Sequence, residues 1–142
     1  MMLTVPTYLE PVFDRLQMSS IACKGRLADR IEKLSAAFAA DYEGCMLSVR
    51  ALIGLVDFLE AAPATPYPDL TVTPAGDCYA EWRGPQGRLL TIEFLDSGDA
   101  RYLLFRPNPK HAQIIDRLAG TTTMDALPET VAPLALMTGL AA

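Results

Sequence analysis

Residues 69–106 read DLTVTPAGDCYAEWRGPQGRLLTIEFLDSGDARYLLFR, and the fold turns on how this stretch pairs with itself. Four short runs alternate with turn residues. Leu70–Thr73 is closed by Pro74, Ala75 and Gly76, and Cys78–Arg83 by Gly84, Pro85, Gln86 and Gly87. Leu89–Leu95 is closed by Asp96, Ser97, Gly98 and Asp99, and Arg101–Arg106 ends at Pro107. Runs rich in Thr, Tyr, Trp, Ile and Phe between Gly, Pro and Asp carry the strand signal. The connections are too short for parallel crossovers, so the strands run antiparallel.

Polarity fixes the register, because a slip of one residue moves every side chain to the other face. Setting Trp82 against Leu90 sets Ala80 against Ile92 and Cys78 against Phe94, one apolar face. Tyr79 then faces Glu93, and Glu81 faces Thr91. A three-residue loop Asp96, Ser97, Gly98, with Gly98 at positive φ, sets Ile92 against Tyr102 and Leu90 against Leu104. Leu95, Leu103 and Phe105 fall on the second face, which is therefore not purely polar. Runs Leu70–Thr73 and Arg101–Arg106 are the expected sheet edges, open to pairing with another chain.

Outward from the meander, the chain reads as helical. Thr7 and Glu10 have the spacing of a capping box before Leu9, Val12, Phe13 and Leu16, with Pro11 in the first turn. Ser19 and Ser20 offer the next cap, for a helix over residues 21–40 with a break at Gly25 and a stripe of Leu27, Ile31, Leu34 and Phe38. Ser48 caps a third helix over residues 49–62, with Leu52, Ile53, Val56 and Leu59 as its apolar stripe and Leu55 and Phe58 widening it. Pro63, Pro66 and Pro68 make residues 63–68 an extended linker. Asn108 and Pro109 read as the cap and first residue of a C-terminal helix with Ala112, Ile114, Ile115 and Leu118 as its apolar positions, inside a helical segment over 109–140.

The expected fold is therefore a single α+β domain over residues 1–142. N-terminal helices (8–62) pack on a three- to four-stranded antiparallel meander (69–106), and a C-terminal helix follows.

Composition narrows the function classes. The 12 basic and 17 acidic residues give a net charge of −5, which disfavours a nucleic-acid partner. No apolar run is long enough for a membrane span and the start lacks a signal-peptide pattern, so a cytoplasmic chain is expected. The three cysteines, Cys23, Cys45 and Cys78, form no paired motif and read as small buried hydrophobes, with no zinc site. One histidine, His111, excludes a His-rich metal centre, and no acidic cluster suggests another metal. The Gly84–Arg88 segment joins two strands and is no phosphate loop, and no Gly-x-Ser-x-Gly occurs. No catalytic residue, metal or cofactor is assigned.

From Ala40 to Arg106 the chain resembles a widespread group of small, uncharacterised bacterial proteins. The resemblance rests on Tyr42 and Gly44, the cap Ser48, the Pro63–Pro68 linker, the hairpin Thr73, Pro74, Ala75, Gly76, and the pair Glu81 and Trp82. Tyr42 stands where a Trp is usual, and Cys45, Met46 and Leu47 replace a proline-rich approach to the serine. The resemblance implies the α+β fold and an association with mobile elements, and carries no activity.

Six residues, Tyr79, Glu81, Arg83, Thr91, Glu93 and Arg101, are expected to share the outer sheet face as a partner-binding surface, since Tyr and Arg are favoured at interfaces. The solvated-face reading, with ordinary cross-strand charge pairs, stands beside it. The expected function is a small acidic non-enzymatic protein-interaction protein, such as an inhibitor, an antitoxin-like protein or an anti-defence protein. The alternatives are a ligand-binding or enzymatic domain with a pocket lined by Tyr42, Cys45, Trp82 and His111, and a structural homodimer subunit.

Overall fold

The computed structural model describes residues 6–62 and 65–131. A 3₁₀ turn at Thr7–Leu9 leads into α1 (Glu10–Gln17), followed by α2 (Lys24–Asp41) and α3 (Val49–Ala61). Five strands follow: β1 (Asp69–Val72), β2 (Cys78–Arg83), β3 (Leu89–Phe94), β4 (Asp99–Pro107) and β5 (Ile115–Thr123). They form one antiparallel sheet in sequence order. A last helical turn spans residues 127–131.

The centre of this sheet has the register that polarity requires. Trp82 pairs with Leu90, Ala80 with Ile92 and Cys78 with Phe94. Leu90 pairs with Leu104 and Ile92 with Tyr102. Gly98 takes a φ of +92°, as its tight loop demands. The inner face of the sheet has a buried apolar centre: Leu70, Cys78, Ala80, Trp82, Leu90, Ile92, Phe94, Ala100 and Leu104. The helices cover it, with α3 against β2 and β3 and α2 against β1. Phe58 of α3 lies between Trp82 and Phe94, at ring-centroid distances of 5.9 and 6.0 Å. The stripes Leu27, Ile31, Leu34, Phe38 and Leu52, Leu55, Val56, Leu59 join the same core, as do Leu127 and Val131.

Four expectations are corrected. The sheet has five strands, and the expected C-terminal helix after Pro109 is β5 instead. Asn108 Oδ1 does accept from the N–H groups of Lys110 and His111 (2.8 and 3.1 Å), as a cap would. The chain then turns at residues 109–114 and returns along β4, so the Asn starts a turn. Of the segment 109–140, only 127–131 is helical among the described residues, and 132–142 lie outside them. Second, Arg101–Arg106 lies inside β4 and is flanked by β3 and β5, so the edges are β1 and β5.

Third, the Thr7–Glu10 capping box does not form. Pro6 precedes the 3₁₀ turn, and no side chain caps it. Fourth, α2 starts at Lys24 with Gly25 inside its first turn, so the glycine breaks nothing. Ser19 is turned back to α1, where its hydroxyl donates to the Leu16 carbonyl at 2.6 Å. In the linker, Pro63 and Ala64 lie outside the described residues, while the Pro66 carbonyl accepts from Trp82 Nε1 at 2.7 Å.

Candidate functional site

The outer face of the sheet carries all six of the expected residues, because β2, β3 and β4 alternate as the sequence requires. Tyr79, Glu93 and Arg101 form one cross-strand row, and Glu81, Thr91 and Leu103 the next. Arg83 sits beside Leu89, which pairs with Phe105. Strand β5 extends these rows with Thr121, Ala119 and Arg117. None of the three helices packs on this face among the described residues, since their buried apolar side chains join the inner-face core.

The face is held by its own pairs. Arg83 Nε meets Glu81 Oε2 at 2.9 Å, and Arg101 Nε lies 3.8 Å from Glu93 Oε1. The arginines remain exposed, at 73% and 59% of their side-chain surface, while Glu81 and Glu93 are largely covered. Thr91, at the centre, is 5% exposed. Its directly opposite neighbours are Glu81 and Leu103, and longer side chains on both sides close over a short one. Thr91 is therefore a floor for the face and presents nothing to a partner. Leu89, Leu103 and Phe105 are half-buried. The contribution of β5 was illegible while that stretch read as helix, but the alternation of residues 115–123 between half-buried and exposed is a strand pattern.

The expected pocket does not assemble. Trp82 is buried under Phe58, and His111 is exposed in the turn between β4 and β5. Tyr42 and Cys45 lie in the connection between α2 and α3, and Tyr42 stacks on Phe38 at 4.8 Å. Cys45 is exposed and Cys23 half-buried, so only Cys78 is the buried hydrophobe expected of all three. Burial pushes the Cys78 thiol pKa strongly up, with the nearby Asp77 charge adding to it, so it stays protonated and is no nucleophile.

A different cleft, of about 910 Å³, opens at the other end of the sheet. Tyr8, Ser48, Arg50, Asp57, Asp96 and Met124 are among its lining residues. Ser48 organises it. Its hydroxyl accepts from the Ala51 N–H at 3.0 Å, capping α3, and donates to Asp96 Oδ1 at 2.7 Å. Its own N–H donates to the Gly76 carbonyl at 2.8 Å. The Asp96 N–H in turn donates to Asp77 Oδ1 at 3.0 Å, and Tyr8 Oη accepts from the Leu47 N–H at 3.1 Å. This network ties the start of α3 to the β1–β2 and β3–β4 turns, a structural clamp. Among the described residues no group of acidic, His and Cys side chains is arranged to hold a metal, and no helix is long and apolar enough to cross a membrane.

No family model, curated protein or solved structure matches the chain.

Proposed function

We propose that this chain is a small, non-enzymatic protein-interaction protein that binds its partner through the outer face of the sheet. The observation that carries the reading is a sheet face left without a second layer among the described residues, where half-buried Leu89, Leu103 and Phe105 lie beside Tyr79 and the exposed Arg83 and Arg101. Sheets normally bury an apolar face against another element. An inhibitor, an antitoxin-like protein or an anti-defence protein is the concrete form, in keeping with the small size and the acidity. Affinity capture of the tagged chain from its native host tests this. A stoichiometric partner, lost when Arg83→Glu and Arg101→Glu are combined, is expected. Repeated recovery of no partner, or a partner retained at full yield by the double variant, sinks the reading.

The cleft beside Ser48 favours a second reading, a small-molecule-binding domain. A ligand screen read by thermal shift, with a hit abolished by Arg50→Ala, distinguishes it from the first.

A further inference from the structure

The two ends of the sheet differ in charge. At the end where β1 meets β2 and β3 meets β4 lie Asp77, Asp96, Asp99 and, just past β5, Asp125. At the opposite end lie Arg83 and Arg88, from β2 and the turn into β3, and Lys110 and Arg117, from the turn into β5 and β5 itself. Arg88, Lys110 and Arg117 make no ion pair among the described residues. Asp116, the one carboxylate nearby on β5, accepts from Asn108 Nδ2 at 3.1 Å. The two ends are roughly 26 Å apart along β4. That is about three Debye lengths at physiological salt, so the basic end acts free of the acidic one.

Apolar surface and an open edge coincide with this basic end. Ile114 and Ile115 are 54% and 44% exposed. The Ile115 side chain reaches back to Gly87, where an added Cβ would lie 3.4 Å from Cδ1, so the β2–β3 turn carrying Arg88 stands beside the edge strand. Strand β5 pairs with β4 without a bulge from Asp99↔Thr123 to Pro107↔Ile115 and contains no proline. Its other edge carries no strand among the described residues. Edges of nine residues are normally blunted by bulges, prolines or cover, whereas β1 is only four residues long.

We propose that the basic end of this sheet docks an extended, acidic segment of a partner protein, which pairs its backbone along β5 and sets its carboxylates against Arg88, Lys110 and Arg117. The inference rests on the protein-interaction reading above and adds the chemistry and place of the contact. Main-chain pairing supplies affinity without demanding one sequence, and the arginines and lysine select for acid.

A photoreactive benzophenone side chain placed at Ile114 in the full chain, irradiated in the native host, tests it against the same probe at Lys33 on the exposed side of α2. We expect a protein adduct at position 114 and not at 33, with the cross-linked stretch net negative. Combining Arg88→Glu and Arg117→Glu should lower its yield about tenfold, and Arg88→Lys with Arg117→Lys should restore it. An adduct with nucleic acid, with a second copy of this chain or with a neutral or basic stretch overturns the proposal, as does equal yield at both positions. No adduct at 114, while capture still returns a partner that depends on Arg83 and Arg101, overturns this inference and leaves the protein-interaction reading standing.

Discussion

Gln86 has a φ of +61° and is followed by Gly87 at +79°, in a turn closed by the Arg88 N–H donating to the Pro85 carbonyl at 3.2 Å. Two successive positive φ values are what a tight two-residue hairpin turn requires, and Gly and Asn meet them more readily than Gln. The Gln side chain repays part of its strain by accepting from Arg88 Nη1 at 2.6 Å. Gln86→Asn should therefore raise stability by about 0.5 kcal/mol, and Gln86→Val should lower it by about 1 kcal/mol. Urea midpoints read both signs, and an Asn variant less stable than its parent contradicts the strain. At this scale the sequence was legible where one residue has one local task. Ser48 was readable as a cap because a hydroxyl before an apolar helix has a nearby N–H to accept, here from Ala51. Thr7 had the same credentials and caps nothing, because Pro6 sets a 3₁₀ turn first, closed by the Leu9 N–H on the Pro6 carbonyl.

Elements are decided by packing as well as by pattern, and β5 shows the difference. Ala112, Ile114, Ile115 and Leu118 fit a helical spacing, and Asn108 with Pro109 fits a helix start. The same residues serve a turn and a strand once β4 offers an unpaired edge. Leu118 then faces inward opposite Leu104, and Gly120 lies under the Tyr102 ring, where an added Cβ would clash with it. Nothing local to residues 112–123 records that edge, so the strand and its share of the outer face were hidden. By contrast β2 and β3 carry their own alternation, and Tyr79, Glu81, Arg83, Thr91, Glu93 and Arg101 could be placed on one face from sequence alone.

The helices add a pH dependence. Arg15 of α1 donates to both oxygens of Glu60 on α3, at 3.0 and 3.2 Å, and pairs with Asp57 at 2.7 Å. The hydrogen bond from Arg15, with its charge, lowers the Glu60 pKa. A carboxylate held lower in the folded than in the unfolded chain stabilises the fold above its unfolded value, near pH 4.5, and loses that contribution as pH falls through the folded one. Glu60→Gln should thus be less stable than the parent at pH 7, with the gap closing in acid below about pH 4. A gap of constant size across that range would mean that the pair does not act through the Glu60 charge.

For the molecule as a whole, one phenylalanine joins the two layers through two aromatic contacts. Phe58 is buried in α3 and meets Trp82 of β2 and Phe94 of β3, with ring planes tilted by 56° and 58°. Tilted aromatic rings at such distances add to the burial of their area. The apolar stripe of α3 cannot stay buried without the sheet, nor the inner face of the sheet without α3. The helices and strands are therefore expected to unfold as one unit. Phe58→Ala removes the residue common to both layers and should cost about 3–5 kcal/mol. The chain has one tryptophan, so Trp82 fluorescence reports the sheet while far-ultraviolet circular dichroism is dominated by the helices. In the parent, urea transitions followed by the two signals should superimpose, and in Phe58→Ala both should move together to lower urea. If fluorescence shifts and the helical signal does not, the layers are separable and the sheet does not depend on α3. The open face would then be part of a sheet able to lose its cover, and partner binding would be expected to stabilise the fold by mass action. Superimposed transitions instead mean that α3 leaves the inner face only on global unfolding, so that the partner surface proposed above stays confined to the outer face and the β5 edge.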